Sequence, residues 1–80
     1  MTDQELLATF TRILRDLLGD DVIVLDMETT RSDVPDWDSF KYVTFIVSVE
    51  IELGIKFGVA DVESFQTVGD IVAEAHRLLK

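Results

Sequence analysis

The chain has 80 residues, a length that fits one small domain, and 16 acidic side chains against 7 basic ones give a formal net charge of −9. This acidity argues against a nucleic-acid ligand, because contacts with phosphates need clustered lysine and arginine. A hydrophobic fraction of 48% argues against wholesale disorder, and the absence of cysteine excludes disulfides and thiolate metal sites.

The first residues are acidic and lack the basic region with which a secretory signal begins. No apolar run approaches the roughly 18 residues that would span a bilayer. The absence of cysteine also fits a reducing compartment. We therefore expect a cytoplasmic protein that does not insert into a membrane.

The first predicted helix begins at Thr2. Thr2 is expected to be its N-cap, with Glu5 completing a capping box, and Gly19 is expected to end it. Between these residues the apolar side chains recur at helical spacing: Leu6, Leu7, Phe10, Ile13, Leu14, Leu17 and Leu18. Such a stripe indicates core packing rather than a partner-binding face.

A long connection is predicted over residues 20–36. Its apolar run, Val22 to Leu25, has no second strand to pair with, so we predict a loop whose apolar side chains plug the core. The region also carries several acids: Asp26, Glu28, Asp33, Asp36 and Asp38. They fail the spacing of a calcium loop, because no glycine lies at the turn position and no glutamate closes it. We expect no metal site.

The second predicted helix runs from Ser39 to about Leu53. Pro35 disfavours helix just before it, Asp38 is a favourable N-cap, and Gly54 supplies the stop. The segment is rich in β-branched residues, which would also suit a strand. The caps and the length of about 15 residues favour a helix.

The remaining chain predicts a loop over 54–58, one or two helical turns over 61–65, and a last helix. Thr67 is expected to cap that helix, with Asp70 complementing its dipole. Its apolar stripe comprises Val68, Ile71, Val72, Ala75, Leu78 and Leu79, and its basic last turn comprises His76, Arg77 and Lys80. With no obvious partner, His76 is interpreted as a surface residue rather than a catalyst.

Ser39 is the residue whose position suggests chemistry. A hydrolytic nucleophile would need a base and usually an orienting acid; the only histidine is far along the chain and no Gly-x-Ser-x-Gly elbow is present. The first residue of a helix is instead well placed to hold a phosphate ester, because unpaired backbone N–H groups lie there. An Asp-Ser pair is also an ordinary helix start, so the pair alone does not decide between these readings.

Four stretches and their spacing add a resemblance to a known family: Asp38-Ser39-Phe40, Glu50-Ile51-Glu52-Leu53-Gly54, Ile55-Lys56-Phe57 and Thr67-Val68-Gly69-Asp70-Ile71. Over nearly the whole chain they resemble the acyl carrier proteins. The resemblance implies an all-α, four-helix bundle with a short third helix and a long loop between helices one and two. It also implies a non-enzymatic carrier.

The resemblance further implies a cofactor and its partners. Ser39 would receive 4′-phosphopantetheine from coenzyme A through a phosphopantetheinyl transferase, with Asp38 as the preceding acid. The arm's thiol would carry acyl groups as thioesters between an acyl- or aminoacyl-loading ligase and a downstream synthase or transferase. The docking residues carried over from the family are Phe40, Val43, Val47 and Glu50. We expect a monomer.

The chain also departs from the family pattern around Ser39. Asp36 stands where glycine is usual, Trp37 where a small or aliphatic residue is usual, and Phe40 replaces leucine. On the docking helix the usual acids are replaced at three positions: Lys41, Thr44 and Ile51. This makes the docking face more apolar, and it resembles that of a stand-alone carrier from a specialised pathway.

Two alternatives stay open. The same architecture suits an aminoacyl or peptidyl carrier, and an acidic helical adaptor that is never modified belongs to a different class. The buried centre is predicted to comprise Phe10, Leu14, Phe45, Ile46, Val49, Leu53, Ile71 and Val72.

Overall fold

The computed structural model describes residues 1–79, which form four α-helices and no strand. These are α1 (Asp3–Leu18), α2 (Ser39–Leu53), α3 (Val59–Ser64) and α4 (Val68–Leu78). The long loop, residues 19–38, joins α1 to α2 and contains one short 3₁₀ helix, Arg31–Asp33. The predicted all-α bundle, with a short third helix and a long first loop, is confirmed. No helix in the described part of the chain has both the length and the apolar character needed to cross a membrane.

The ends of α1 follow the local signals. Thr2 Oγ1 accepts a hydrogen bond from the backbone N–H of Glu5 at 3.1 Å, and Glu5 Oε1 accepts one from the N–H of Thr2 at 2.8 Å. The two bonds form the predicted capping box, and donation from the Thr2 N–H, with a smaller effect of the Thr2 side chain, lowers the pKa of the Glu5 carboxyl below its ordinary value. At the other end Gly19 adopts a left-handed conformation (φ 65°), which glycine tolerates without steric cost.

The start of α4 has a complete capping box, of which the sequence predicted only the Thr67 cap. Asp70 is shorter than the usual Glu or Gln, yet its Oδ2 accepts hydrogen bonds from the N–H groups of Gln66 (2.9 Å) and Thr67 (3.2 Å). Thr67 Oγ1 in turn accepts from the N–H of Asp70 at 3.2 Å. These backbone donors lower the pKa of the Asp70 carboxyl.

The core lies among α1, α2, α4 and the long loop. Its buried apolar residues are Leu6, Phe10, Ile13, Leu14, Ile23, Leu25, Val34, Trp37, Phe45, Ile46, Val49, Phe57, Val68, Ile71, Val72 and Ala75. Every residue predicted at the centre is in this set except Leu53. That prediction was wrong in degree, because Leu53 ends α2 and packs against the cluster from its edge, half-buried.

The apolar run of the long loop alternates between core and solvent. Ile23 and Leu25 are buried, whereas Val22 and Val24 are exposed. Helix α1 holds the segment in place: Arg15 Nε donates to the carbonyl of Ile23 at 2.6 Å, and Thr11 Oγ1 accepts from the N–H of Leu25 at 3.3 Å. The prediction of a loop that plugs the core is confirmed.

Further along, the loop is tied to the start of α4. The N–H of Val68 donates to the carbonyl of Thr29 at 2.8 Å, and the N–H of Gly69 donates to that of Met27 at 2.9 Å. A Cβ on Gly69 would lie 2.6 Å from the Met27 carbonyl oxygen, so only glycine permits this approach. The loop therefore satisfies donors that a helix N-terminus leaves free, and its path towards α2 is defined.

Helix α3 begins and ends earlier than predicted. It spans Val59–Ser64 rather than residues 61–65, because the carbonyl of Gly58 already accepts from the N–H of Val62 at 3.0 Å. Phe65 leaves the helix with extended backbone, and its ring packs edge-on against Phe57 with centroids 5.6 Å apart. The residue that ends α3 therefore also joins the packing of the loop before it.

Candidate functional site

Ser39 is the first residue of α2 and is exposed. The N-cap is Asp38, whose Oδ1 accepts from the N–H of Lys41 at 2.9 Å, as predicted. Ser39 Oγ makes no hydrogen bond within residues 1–79, so the hydroxyl is open to solvent at the positive end of the helix dipole. The arrangement presents a free nucleophilic oxygen where a phosphate group would be tolerated.

Trp37 anchors the approach to Ser39. Its side chain is only 4% exposed, and its ring packs edge-on against Phe45 (5.2 Å between centroids) and at a tilt against Tyr42 (6.2 Å). Its Nε1 is buried without an acceptor in the described part of the chain, so the ring contributes packing rather than polar contact. The buried ring of Trp37 therefore fixes the position of the turn that precedes Ser39.

Sequence reasoning treated Trp37 only as a departure from a family pattern. The signal that would have placed it in the core is the hydrophobic staple, in which the residue before the N-cap packs against the fourth helical residue. Counting from Asp38 as N-cap, these two residues are Trp37 and Tyr42, the pair observed in contact.

The turn before Trp37 contains the only non-glycine residue with positive φ in the described part of the chain. Asp36 has φ 69°, a left-handed conformation that Asp tolerates better than most residues but less well than glycine. The usual glycine at this position is therefore explained by backbone geometry.

This geometry predicts the order of stability of two variants. We expect Asp36→Gly to be at least as stable as the parent and Asp36→Ala to lie about 1 kcal/mol below Asp36→Gly, because Cβ crowds the carbonyl in this region. Both variants remove the same carboxylate, so charge is matched. Urea unfolding of the two variants measures the difference, and equal midpoints would show that the turn relaxes away from positive φ.

Tyr42 connects the start of α2 with α3 and the long loop. Its hydroxyl donates to the carbonyl of Val62 at 2.7 Å, and the Arg31 guanidinium carbon lies 5.1 Å from the centre of its ring. Partial burial raises the pKa of the phenol, against an opposing effect of Arg31, so the donor stays protonated near neutral pH. These contacts hold the surroundings of Ser39 together.

The expected docking residues fall into two groups. Phe40, Val43 and Val47 are exposed on the outer side of α2. Glu50 is half-buried, and its Oε2 accepts from the N–H of Phe57 at 2.8 Å, so this carboxylate supports the loop after α2. Ile51, which the sequence analysis noted in place of a usual acid on this helix, is exposed as well.

His76 has a partner that the sequence did not suggest. Its Nε2 lies 2.6 Å from Asp3 Oδ1, which joins the end of α4 to the start of α1. Ser39 has no hydrogen bond to it or to any carboxylate within residues 1–79. In the same part of the chain no three His, Asp or Glu side chains are placed to hold a metal ion.

Comparisons with curated proteins and with solved structures both find proteins similar to this chain. No protein-family model matches the chain. It is 30% identical to the meromycolate extension acyl carrier protein of Mycobacterium bovis over 78 residues, covering 98% of this chain and 68% of that protein. It is 30% identical to an acyl carrier protein of Rhodococcus erythropolis over 77 residues, covering 96% and 85%. The solution NMR structure of a holo acyl carrier protein from Geobacter metallireducens superposes with a TM-score of 0.84 at 36% identity, covering 91% and 84% of the two chains.

Proposed function

Since the chain belongs to the acyl carrier protein family, we propose that Ser39 is the residue that carries its prosthetic group, 4′-phosphopantetheine. Membership makes the protein an acyl carrier rather than an enzyme. The assignment of the attachment point to Ser39 rests on one observation above all. Ser39 is an exposed serine with a free hydroxyl at the capped start of a helix.

The residues present fit the phosphodiester of such a group. The Asp38 carboxylate is occupied by the N–H of Lys41, which leaves other donors of the first turn available to a phosphate oxygen. The open side of Ser39 faces solvent, so an attached arm would not displace any packed side chain. When bound, the arm supplies the thiol that this cysteine-free chain lacks, and acyl groups are carried on it as thioesters.

The chain's own part in modification is to present the hydroxyl. The packing of Trp37 against Tyr42 fixes the turn before Ser39, and Asp38 caps the helix that Ser39 begins. Ser39 Oγ has no base within hydrogen-bond reach in the described part of the chain, so the phosphopantetheinyl transferase must take its proton.

The proposed contact surface for the partner enzymes lies along α2, beginning beside Ser39. Phe40, Val43 and Val47 are exposed along the helix that Ser39 opens, and Glu50 lies at their side. The transferase, a loading ligase and a downstream synthase or transferase would each need to approach Ser39. Contacts with this stretch of α2 would bring their active sites near the arm.

We further propose that the carrier serves a specialised pathway. Lys41, Thr44 and Ile51 stand where acids are common in fatty-acid carriers, and Ile51 is exposed, so its side chain is accessible to a partner that docks on α2. A partner selected for a basic docking patch would find fewer acids to pair with here.

The attachment point is tested by intact-mass measurement after co-expression with a broad-specificity phosphopantetheinyl transferase. We expect a gain of one phosphopantetheine group per chain, mapped to the peptide that contains Ser39. An unchanged mass would favour the unmodified adaptor, and a gain on another peptide would refute the assignment. Loading the arm with candidate acids then separates an acyl carrier from an aminoacyl or peptidyl carrier.

A further inference from the structure

Arg31 is an arginine whose charge has no partner among residues 1–79. The chain has four arginines, and the other three are engaged by neighbouring groups: Arg12 with Glu52, Arg15 with the carbonyl of Ile23, and Arg77 with Glu74. The exposed guanidinium of Arg31 makes no hydrogen bond or ion pair within the same residues, although the chain has 16 acids. Such a group is free to receive an anion that does not belong to the polypeptide.

The backbone around Arg31 is fixed on both sides. Arg31 begins the 3₁₀ helix of the long loop, in which Asp33 Oδ2 accepts from the N–H of Thr30 at 2.9 Å. Just before it, the carbonyl of Thr29 accepts from the N–H of Val68 at 2.8 Å, which ties the loop to α4. The fold therefore sets the place from which the Arg31 side chain extends.

Tyr42 brings the guanidinium to the first turn of α2. The guanidinium carbon of Arg31 lies 5.1 Å from the centre of the Tyr42 ring, within the range of a cation–π contact. Tyr42 follows Ser39 by three residues, so their Cβ atoms are neighbours on the helix surface, about 5–6 Å apart. The same ring contacts Trp37, two residues before Ser39, with 6.2 Å between centroids. The Tyr42 ring therefore lies at the start of α2, and the Arg31 guanidinium lies beside it.

A phosphodiester on Ser39 would add negative charge where the chain is already acidic. Asp36 and Asp38 both lie within three residues of Ser39. Lys41 is the only base of α2, but it follows Ser39 by two residues and so lies about 200° round the helix from it. Arg31, in contrast, contacts the side of α2 that Tyr42 shares with Ser39.

We propose that Arg31 binds the phosphodiester of the prosthetic group on Ser39, its guanidinium N–H groups donating to the phosphate oxygens. This inference rests on the proposed function, which supplies the phosphodiester. The backbone N–H groups of Ser39 and Phe40 make no hydrogen bond within residues 1–79, so they are available to the same oxygens from the end of the helix. Arg31 would thus direct the base of the arm towards the long loop and leave its thiol end free to move.

The first test compares the unmodified and modified forms of three proteins: the parent, Arg31→Gln and Lys41→Gln. Both substitutions remove one positive charge near the start of α2, and only Arg31→Gln removes it from the side of Ser39. At a fixed urea concentration, we expect modification to lower the unfolding equilibrium constant of the parent about two- to fivefold more than that of Arg31→Gln. Lys41→Gln should respond to modification as the parent does. If Arg31 only packed on Tyr42, its loss would change both forms equally, because that contact does not need the arm.

The second test is phosphorus NMR of the modified proteins, since the phosphodiester is their only phosphorus. We expect its resonance to shift in Arg31→Gln and to stay unchanged in Lys41→Gln. Raising the salt concentration from about 0.05 M to about 0.5 M should move the parent resonance towards that of Arg31→Gln, because exposed charge pairs are screened. Arg31→Lys should restore only part of the shift, because an ammonium group lacks the planar fork that donates two bonds to one phosphate.

Either of two results overturns the proposal: modification stabilises the parent and Arg31→Gln equally, or the two proteins share one phosphorus resonance. A larger effect of Lys41→Gln overturns it too, because the phosphate would then lie on the other side of α2. Intact mass is measured on every sample first. A mass gain on Ser39 without any dependence on Arg31 refutes this inference alone, whereas no mass gain refutes the proposed function and this inference with it.

Discussion

Replacing Ser39 by alanine should abolish phosphopantetheinylation completely while leaving the fold unchanged. The first residue of α2 then has no hydroxyl to be modified, and Ser39 Oγ makes no hydrogen bond in the described part of the chain that the substitution would remove. We therefore expect the free energy of unfolding to change by no more than about 0.5 kcal/mol. Intact-mass measurement after incubation with coenzyme A and a transferase shows whether the variant is still modified.

Ser32→Ala is the matched control. Ser32 is an exposed serine of the long loop whose Oγ lies 3.0 Å from Thr30 Oγ1. This variant should gain the full mass. If Ser39→Ala still gained mass, the attachment point would lie elsewhere. If it lost both modification and its cooperative melt, the loss would reflect the fold rather than the hydroxyl.

Phe45→Ala should leave the protein largely unfolded at room temperature. Phe45 is fully buried in α2, and its ring packs edge-on against Phe10 (5.8 Å) and Trp37 (5.2 Å). Removing a buried phenyl ring typically costs about 3–5 kcal/mol. A domain of this size has only about 5 kcal/mol or so of stability to lose. The emission of Trp37, the sole tryptophan, follows the transition.

Phe40→Ala makes the same deletion on the solvent side of the same helix. Phe40 is 80% exposed, so its loss should shift stability by less than about 0.5 kcal/mol. The two variants together test the orientation of α2. A Phe45→Ala protein that melts cooperatively near the parent temperature, or a larger effect of Phe40→Ala, would contradict it.

Interactions across three or four residues explain why helix bounds were predictable. A cap, an apolar stripe and a terminal glycine act within one segment, so the N-caps Thr2 of α1 and Asp38 of α2, and the stop of α2 at Gly54, follow from local rules. The position of Ser39 as the first residue of α2 is one of these local results. The predicted bounds of α3 were wrong: the bond from the Val62 N–H to the Gly58 carbonyl starts the helix earlier, and Phe65 has extended backbone and packs on Phe57.

Contacts between distant segments account for the rest of the site. Comparison with the family pattern shows that Asp36 and Trp37 are unusual residues. The left-handed backbone of Asp36 and the burial of the Trp37 ring follow only from the packing of the long loop on α2 and α4. Likewise, the family resemblance implies Glu50 as a docking acid, whereas in the folded chain its carboxylate accepts a hydrogen bond from the N–H of Phe57. The periodicity of the sequence determines which face of a helix is apolar. Packing between distant segments determines which apolar side chains and which charged groups stay exposed in the folded protein.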